Sequence, residues 1–353
     1  MKNLEMKYFI STNQDKHKSA SEMLLFGLSR QYQIFEYNRT TSSLDEWHSA
    51  RPYYSNLDFS KPITQVINCF KPQAVSPYYY RDIKFNLISC PGGYADKENL
   101  VENPFMLGET VVTRELFNAV MGFDYSDYRL YESNYSEEKA NSPKKPVRKI
   151  SWYDCVEFCN RLSVYFGFEC YYSIRNIQYC GDYVIKTNHP TPEDERKKIY
   201  AKNYPKCISN AFVSNQDSAS GFRLPTEWEW QIAAKAGTKN LYSGTNRIKD
   251  LPKFANESKH PIPVAQKLPN EWGFYDMTGN IKQWCNNQVF NDYRDEYEKA
   301  VRGCASYIKN EHIELFGGKK YSKENILSLF DRENRGPYGL FDDLSFRIAR
   351  TII

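Results

Sequence analysis

Three short stretches of this chain carry both a start and a stop signal for a helix, and most of the sequence around them is punctuated by Gly, Pro and Asn. Thr113 is placed to cap Arg114 to Met121, Gly122 closes the turn, and Leu116, Phe117, Val120 and Met121 share one face. Ser151 with Asp154 forms a capping-box pattern opening Trp152 to Phe166, stopped by Gly167, with Cys155, Val156, Cys159 and Leu162 as the inner stripe. Thr226 with Glu229 is a second box, after Pro225, for a helix that ends at Gly237 and buries Trp230, Ala233 and Ala234. Three brief helices in so long a chain predict a mixed α+β fold with small sheets and long loops.

The polar stretch Ser173 to Ser220, with Pro190, Pro192 and Pro205, reads as an irregular excursion holding one charged helix over Pro192 to Tyr200. A last helix is expected over Ser322 to Phe330. The first eighty residues differ in texture. Ser19 to Phe26 suits a short helix, and Gln31 to Tyr37 alternates polar and apolar as a strand does. No internal repeat is present.

At 353 residues the length suggests roughly two domains. Apolar residues at 41% and charged residues at 25% exclude wholesale disorder. The anomaly is aromatic: 28 Tyr, 21 Phe and 6 Trp, side chains suited to irregular folds and to binding surfaces. A net charge of +4 without a basic, aromatic-interleaved block gives no indication of nucleic-acid binding. The runs Glu195-Arg196-Lys197-Lys198 and Lys319-Lys320 read as solvated faces. No apolar run is long enough to span a membrane, and charges at Lys2, Glu5 and Lys7 stand where a leader needs an apolar core, so a cytoplasmic location is expected. The nine Cys form no Cys-x-x-Cys pair and the five His no paired metal spacing, so reduced thiols are expected rather than disulfides or zinc.

Four ordered pieces carry a resemblance. They are Gly221-Phe222-Arg223-Leu224-Pro225-Thr226-Glu227-Trp228-Glu229-Trp230; Pro269-Asn270-Glu271-Trp272-Gly273-Phe274 running on to Gly279-Asn280-Ile281-Lys282-Gln283-Trp284; Val301-Arg302-Gly303; and Ser345-Phe346-Arg347-Ile348-Ala349-Arg350. Gly108 to Arg114 and Pro146 to Trp152 fit the same register. The set resembles the formylglycine-generating-enzyme, or sulfatase-modifying factor, family. It implies a C-type-lectin-like fold over residues 85–353, with residues 1–84 an N-terminal extension and candidate docking segment. Tyr53, Tyr54, Tyr78, Tyr79, Tyr80 and Arg81 are the extension's interface-type residues; the alternative is that they pack back on the body.

The resemblance then implies specific sites. Oxidase members use two thiols to hold copper, and those positions fall on Ile308 and Ile313, so copper is not expected. Cys304 stands where a Gly is usual and reads as a small buried residue. The iron-dependent sulfoxide synthases of the family need a cluster of His, and the extension holds only His17 and His48. A structural calcium is implied at Asp276, Gly279, Ile281 and Gln283, with Gln283 in place of an acid; the alternative is that Asp276 caps the turn through the amides of Gly279 or Asn280. A second calcium loop near Asn256 and Glu257 lacks its further carboxylate. The function expected is a non-catalytic ligand- or protein-binding or assembly module, of the retroelement-display type or part of a larger complex, with a protein partner or self-association. Its ligand face would hold Tyr307, His312, Tyr321, Arg332, Arg335 and Tyr338. The alternative is an enzyme, either a formylglycine-generating oxidase or one of altered chemistry with Cys304 and His312 as nucleophile and base.

Overall fold

The computed structural model describes residues 74–96, 98–126, 142–185, 187, 189–238, 240–255, 261–291, 296–302, 312–315, 319–322 and 332–352. The chain enters as a hairpin, β1 (Val75–Tyr80) and β2 (Ile83–Cys90), followed by β3 (Gly93–Tyr94), β4 (Leu100–Val101) and β5 (Phe105–Gly108). Helices α1 (Arg114–Met121) and α2 (Trp152–Tyr165) come next. Then β6 (Tyr172–Tyr179), α3 (Pro192–Asn203) and β7 (Ile208–Asn215) lead to β8 (Phe222–Arg223) and α4 (Glu227–Lys235). The last third adds β9 (Lys282–Asn291), β10 (Glu296–Arg302), β11 (His312–Leu315), β12 (Lys319–Ser322), β13 (Arg332–Arg335), β14 (Leu344–Phe346) and β15 (Ala349–Thr351).

One sheet of five strands runs β1–β2–β5–β15–β8, all neighbours antiparallel. A second runs β13–β10–β9–β14, with β14 parallel to β9. The pairs β3–β4, β6–β7 and β11–β12 stand alone.

The helices start where short side chains can take up the free amides of a first turn. Thr113 accepts from Leu116 N, and reciprocal boxes form at Ser151–Asp154 and Thr226–Glu229. Gly122 closes α1 at φ 78°, a left-handed conformation that Gly adopts without steric cost. The fourth helix, α3, has its own box at Thr191–Asp194 and Pro at its start, and it runs three residues past Tyr200.

Alternation along the five-stranded sheet sends side chains to two cores. Leu87, Met106, Phe222 and Ile348 face α1 and α2, beside Phe117, Phe158 and Trp284. Ile88, Phe105, Leu107 and Ala349 face α4, beside Trp230, Trp272 and Phe274. Cys155 and Cys159 lie fully buried on the inner stripe of α2, as the spacing predicts. Trp230 and Trp284 are both fully enclosed, the first donating to Gln283 Oε1 at 2.9 Å and the second to Ile150 O at 3.4 Å.

The boundary expected at residue 84 falls inside the β1–β2 hairpin. Tyr78 stacks on Phe85 at 5.4 Å and meets Phe166 and Phe222 edge-on, and Tyr80 packs on Tyr165 at 4.3 Å. Tyr79, one residue out of phase, is 52% exposed. Residues 1–73, with the expected helix at Ser19 and strand at Gln31, lie outside the described residues. So do residues 323–330 of the last expected helix; Ser322 ends β12 instead.

The stretch expected to be irregular is an antiparallel ribbon, β6 with β7, carrying α3 beyond its end. Its register breaks between Arg175 and Tyr179, and Asn176 takes φ 54°. Both strands expose polar residues on either side, so no clean alternation marks them.

Candidate functional site

The ribbon is held at its far end by main-chain bonds. Cys180 N donates to Cys207 O at 2.8 Å and Gly181 N to Pro205 O at 3.1 Å. Beneath this neck lies the capping box of α2. Asp154 is fully buried, accepts from Ser151 N at 2.8 Å and reaches across to accept from Ile208 N at 2.8 Å. Burial pushes its carboxyl up to about 6 against the pull of those donors.

Helix α3 buries none of its residues fully; it meets the first core only through Tyr200 and the following Tyr204. It is seated through its edges. Tyr183 donates its hydroxyl to Asp194, Tyr200 meets Tyr204 edge-on at 5.7 Å, and Tyr204 meets Tyr125 at 5.5 Å. Glu193, Arg196, Lys197 and Tyr200, spaced three, one and three apart, form the helix face that borders a cavity of about 780 Å³. That volume is within the range of ligand pockets, ~300–1,000 Å³.

The opposite wall is the segment Arg335 to Phe341. Trp152 N donates to Pro337 O at 2.8 Å and Lys149 N to Phe341 O at 3.0 Å, which moors the segment to the start of α2. The Arg335 guanidinium lies 4.7 Å over the Phe341 ring, with Asp343 at 3.6 Å. Gly339 lets that ring lie close: a Cβ there would stand 2.2 Å from Phe341 Cε2. The ribbon supplies Gln178, Ser209 and Asn210 as a polar floor.

Three cations and one carboxylate line the groove, and Glu193 is engaged by Lys197 at 2.8 Å. Cys180 also borders it, but burial pushes its thiol up to about 12, leaving no thiolate nucleophile at neutral pH. Among the described residues no three His, Cys, Asp or Glu gather as a metal site. The groove presents aromatic faces, guanidiniums and amides.

Of the residues expected on a ligand face, Arg335 and Tyr338 line this groove. Arg332 lies in β13, His312 in β11 beside Ile313, and Tyr321 in β12. Tyr307, Ile308 and Cys304 lie outside the described residues, as do Asn256 and Glu257. Arg196, Lys197, Tyr200 and Tyr183 were not anticipated there. Their signal was available: a capped helix without an apolar stripe has no core to pack on and serves a surface. The run Glu195 to Lys198 is exposed as expected, yet two of its members, Arg196 and Lys197, form a wall of the groove.

The residues implied for calcium are joined to their surroundings by hydrogen bonds. Gln283 Oε1 is taken by two donors, Trp230 Nε1 at 2.9 Å and Arg347 Nε at 3.1 Å, and Gln283 Nε2 donates to Asp276 O at 3.2 Å. Gly279 O accepts from Ile281 N at 2.9 Å. Asp276 Oδ2 accepts from Ala265 N at 3.0 Å, the Asn280 side chain also bonds the carboxylate, and Oδ1 is buried without a donor. Positive charge is already supplied by Arg347, fully buried and donating to Gly108 O at 2.6 Å and Tyr275 O at 2.7 Å. Burial raises the Asp276 carboxyl, with the Ala265 amide and Arg347 opposing.

Residues 89–352 match the family described as the sulfatase-modifying factor enzyme 1-like domain. Chaperone protein LppX of Paenibacillus barcinonensis is 28% identical over 213 residues, 54% of this chain and 65% of the relative. The inactive C-alpha-formylglycine-generating enzyme 2 of Bos taurus is 29% identical over 143 residues, 36% of this chain and 44% of that protein. The chain thus spans less than two thirds of the length of either curated relative. Among solved structures, Treponema denticola variable protein 1 superposes with a TM-score of 0.57 at 23% identity, over 79% of this chain and 99% of that one. That likeness shows the shared C-type-lectin-like fold. No helix among the described residues is long and apolar enough to cross a membrane.

Proposed function

This chain belongs to the sulfatase-modifying factor family, and from that premise we propose that it is a non-catalytic member that binds a protein partner in the groove between α3 and the Arg335–Phe341 segment. The observation that carries the reading is the pair Ile308 and Ile313, aliphatic residues at the positions where the family resemblance places copper thiols. A sec-butyl side chain offers no lone pair to a metal, so copper chemistry has no foothold there. The groove supports the same reading, because Arg and Tyr concentrate binding energy while the one thiol beside them is held neutral. An inactive relative and a chaperone among the matched proteins are in keeping with it. Display of a variable ligand surface and membership of a larger assembly are both uses of such a module. Residues 1–73 are a candidate second docking segment under the same proposal. None of the seven described cysteines is in a disulfide, which suits a reducing compartment such as the cytoplasm.

Two measurements test this. The full chain incubated with a Cys-x-Pro-x-Arg peptide, copper and air should form no aldehyde above a protein-free control; aldehyde formation overturns the non-catalytic reading. Cross-linking in cells, mapped by mass spectrometry, should join a partner to Lys197, Lys198 or Lys202 on α3. Cross-links confined to other faces overturn the placement of the binding surface.

A further inference from the structure

We propose that the groove takes an extended peptide segment bearing carboxylates, an inference that rests on the protein-binding reading above and specifies its ligand. The first reason is charge. The lining carries Arg196, Lys197 and Arg335 against Glu193 alone, and Glu193 is already paired with Lys197 at 2.8 Å. Arg196 is exposed on the same helix face and makes no hydrogen bond or ion pair within the described structure. A guanidinium is a planar fork matched to a carboxylate. Arg335 borders the groove from the other wall, its guanidinium carbon 4.7 Å from the Phe341 ring centre and the guanidinium 3.6 Å from Asp343.

The second reason is the floor. Gln178 and Asn210 stand opposite each other across the β6–β7 ribbon, both exposed. Primary amides both donate and accept, which is what the alternating N–H and C=O of an extended main chain require. Tyr183, Tyr200 and Tyr338 add faces for apolar side chains between the acidic ones.

The third reason separates a peptide from a nucleic acid. The first turn of α3 carries Glu193, Asp194 and Glu195, of which Glu193 lines the groove. A continuous phosphate backbone would meet that acidic turn, whereas a peptide can put its carboxylates at Arg196 and Arg335 and neutral residues elsewhere.

The test pans the full chain against a random-sequence peptide library and measures recovered peptides, synthesised singly, by fluorescence anisotropy. Recovered sequences should be richer in Asp and Glu than the input, and their Gln and Asn counterparts should bind less tightly. Arg196→Glu, on an exposed helix face that carries no core, should weaken the acidic peptides about tenfold or more, as should Arg335→Ala. Recovery without acidic enrichment, acidic peptides that bind Arg196→Glu as tightly as the parent, or displacement by a single-stranded oligonucleotide at lower concentration than by the peptides would each overturn the assignment. Partner cross-links to the α3 lysines, if they persist after such a result, leave the protein-binding reading standing and remove only the acidic ligand.

Discussion

Asp154 Oδ1 accepts the main-chain amide of Ile208 at 2.8 Å, so the carboxylate that caps α2 also pins the first residue of β7. One buried side chain thereby fixes the angle at which the ribbon leaves the body, and with it one side of the groove. The arrangement has a titration consequence. The carboxyl sits near 3.8 when unfolded and at about 6 when folded. Its contribution is fully present below the lower value and is lost as pH rises through the higher one, because ionisation is harder in the folded protein. A shift of that size corresponds to as much as about 3 kcal/mol. The difference in unfolding free energy between the parent and Asp154→Asn should therefore change across this window and level off above it. A difference that stays constant with pH would remove Asp154 as the source.

Trp230→Ala and Trp284→Ala should each destabilise by ~3–5 kcal/mol, since each empties a fully enclosed site in one of the two cores. Urea unfolding measures both. A midpoint within experimental error of the parent would contradict the packing described.

Gly339→Ala should act on the groove through Phe341. The new methyl would stand 2.2 Å from the ring edge, so the ring must turn away and release the Arg335 guanidinium. A stability loss of ~1–3 kcal/mol is expected, together with weaker peptide binding. Unchanged affinity would show that the stacked arginine is not used.

Calcium should not stabilise the parent protein. The Gln283 oxygen is committed to Trp230 and Arg347, so saturating calcium or a chelator should move the melting temperature by less than about 1 °C. A concentration-dependent rise would show that these bonds give way to the ion.

Relative to a chain beginning at Ala74, one beginning at Arg81 should melt markedly lower or fail to stay in solution. The shorter chain lacks β1, which uncovers the edge of β2 and strips Tyr78 from the Phe85, Phe166 and Phe222 cluster. Equal melting temperatures would place β1 outside the fold.

The helices were legible in the sequence because their causes are local. Thr113, Ser151 and Thr226 each act on amides within one turn, and the glycines beyond need no distant partner. The ribbon was not legible, because its strands are polar on both faces and its register breaks near Asn176. Of the groove, Arg335 and Tyr338 were visible through the family resemblance, whereas Arg196 and Tyr200 meet them only in space. Gln283 illustrates the limit of reading a motif. Its position marks it as a weakened calcium ligand, but its partners Trp230 and Arg347 come from two other segments of the chain.

The main-chain bond from Cys180 to Cys207 means that the departing and returning ends of the α3 excursion stand side by side. A tight turn joining β6 directly to β7 would close the same gap, so everything between is a cassette mounted on a socket. Loop-closure entropy grows only slowly with length, and α3 touches the first core only through Tyr200 and the following Tyr204. The body can thus carry cassettes of different size and sequence at one fixed address. Ligand preference in related chains would then be altered by exchanging one wall, provided Tyr204 or an equivalent ring still fills its place in the first core, with the facing Arg335–Phe341 segment left as it is.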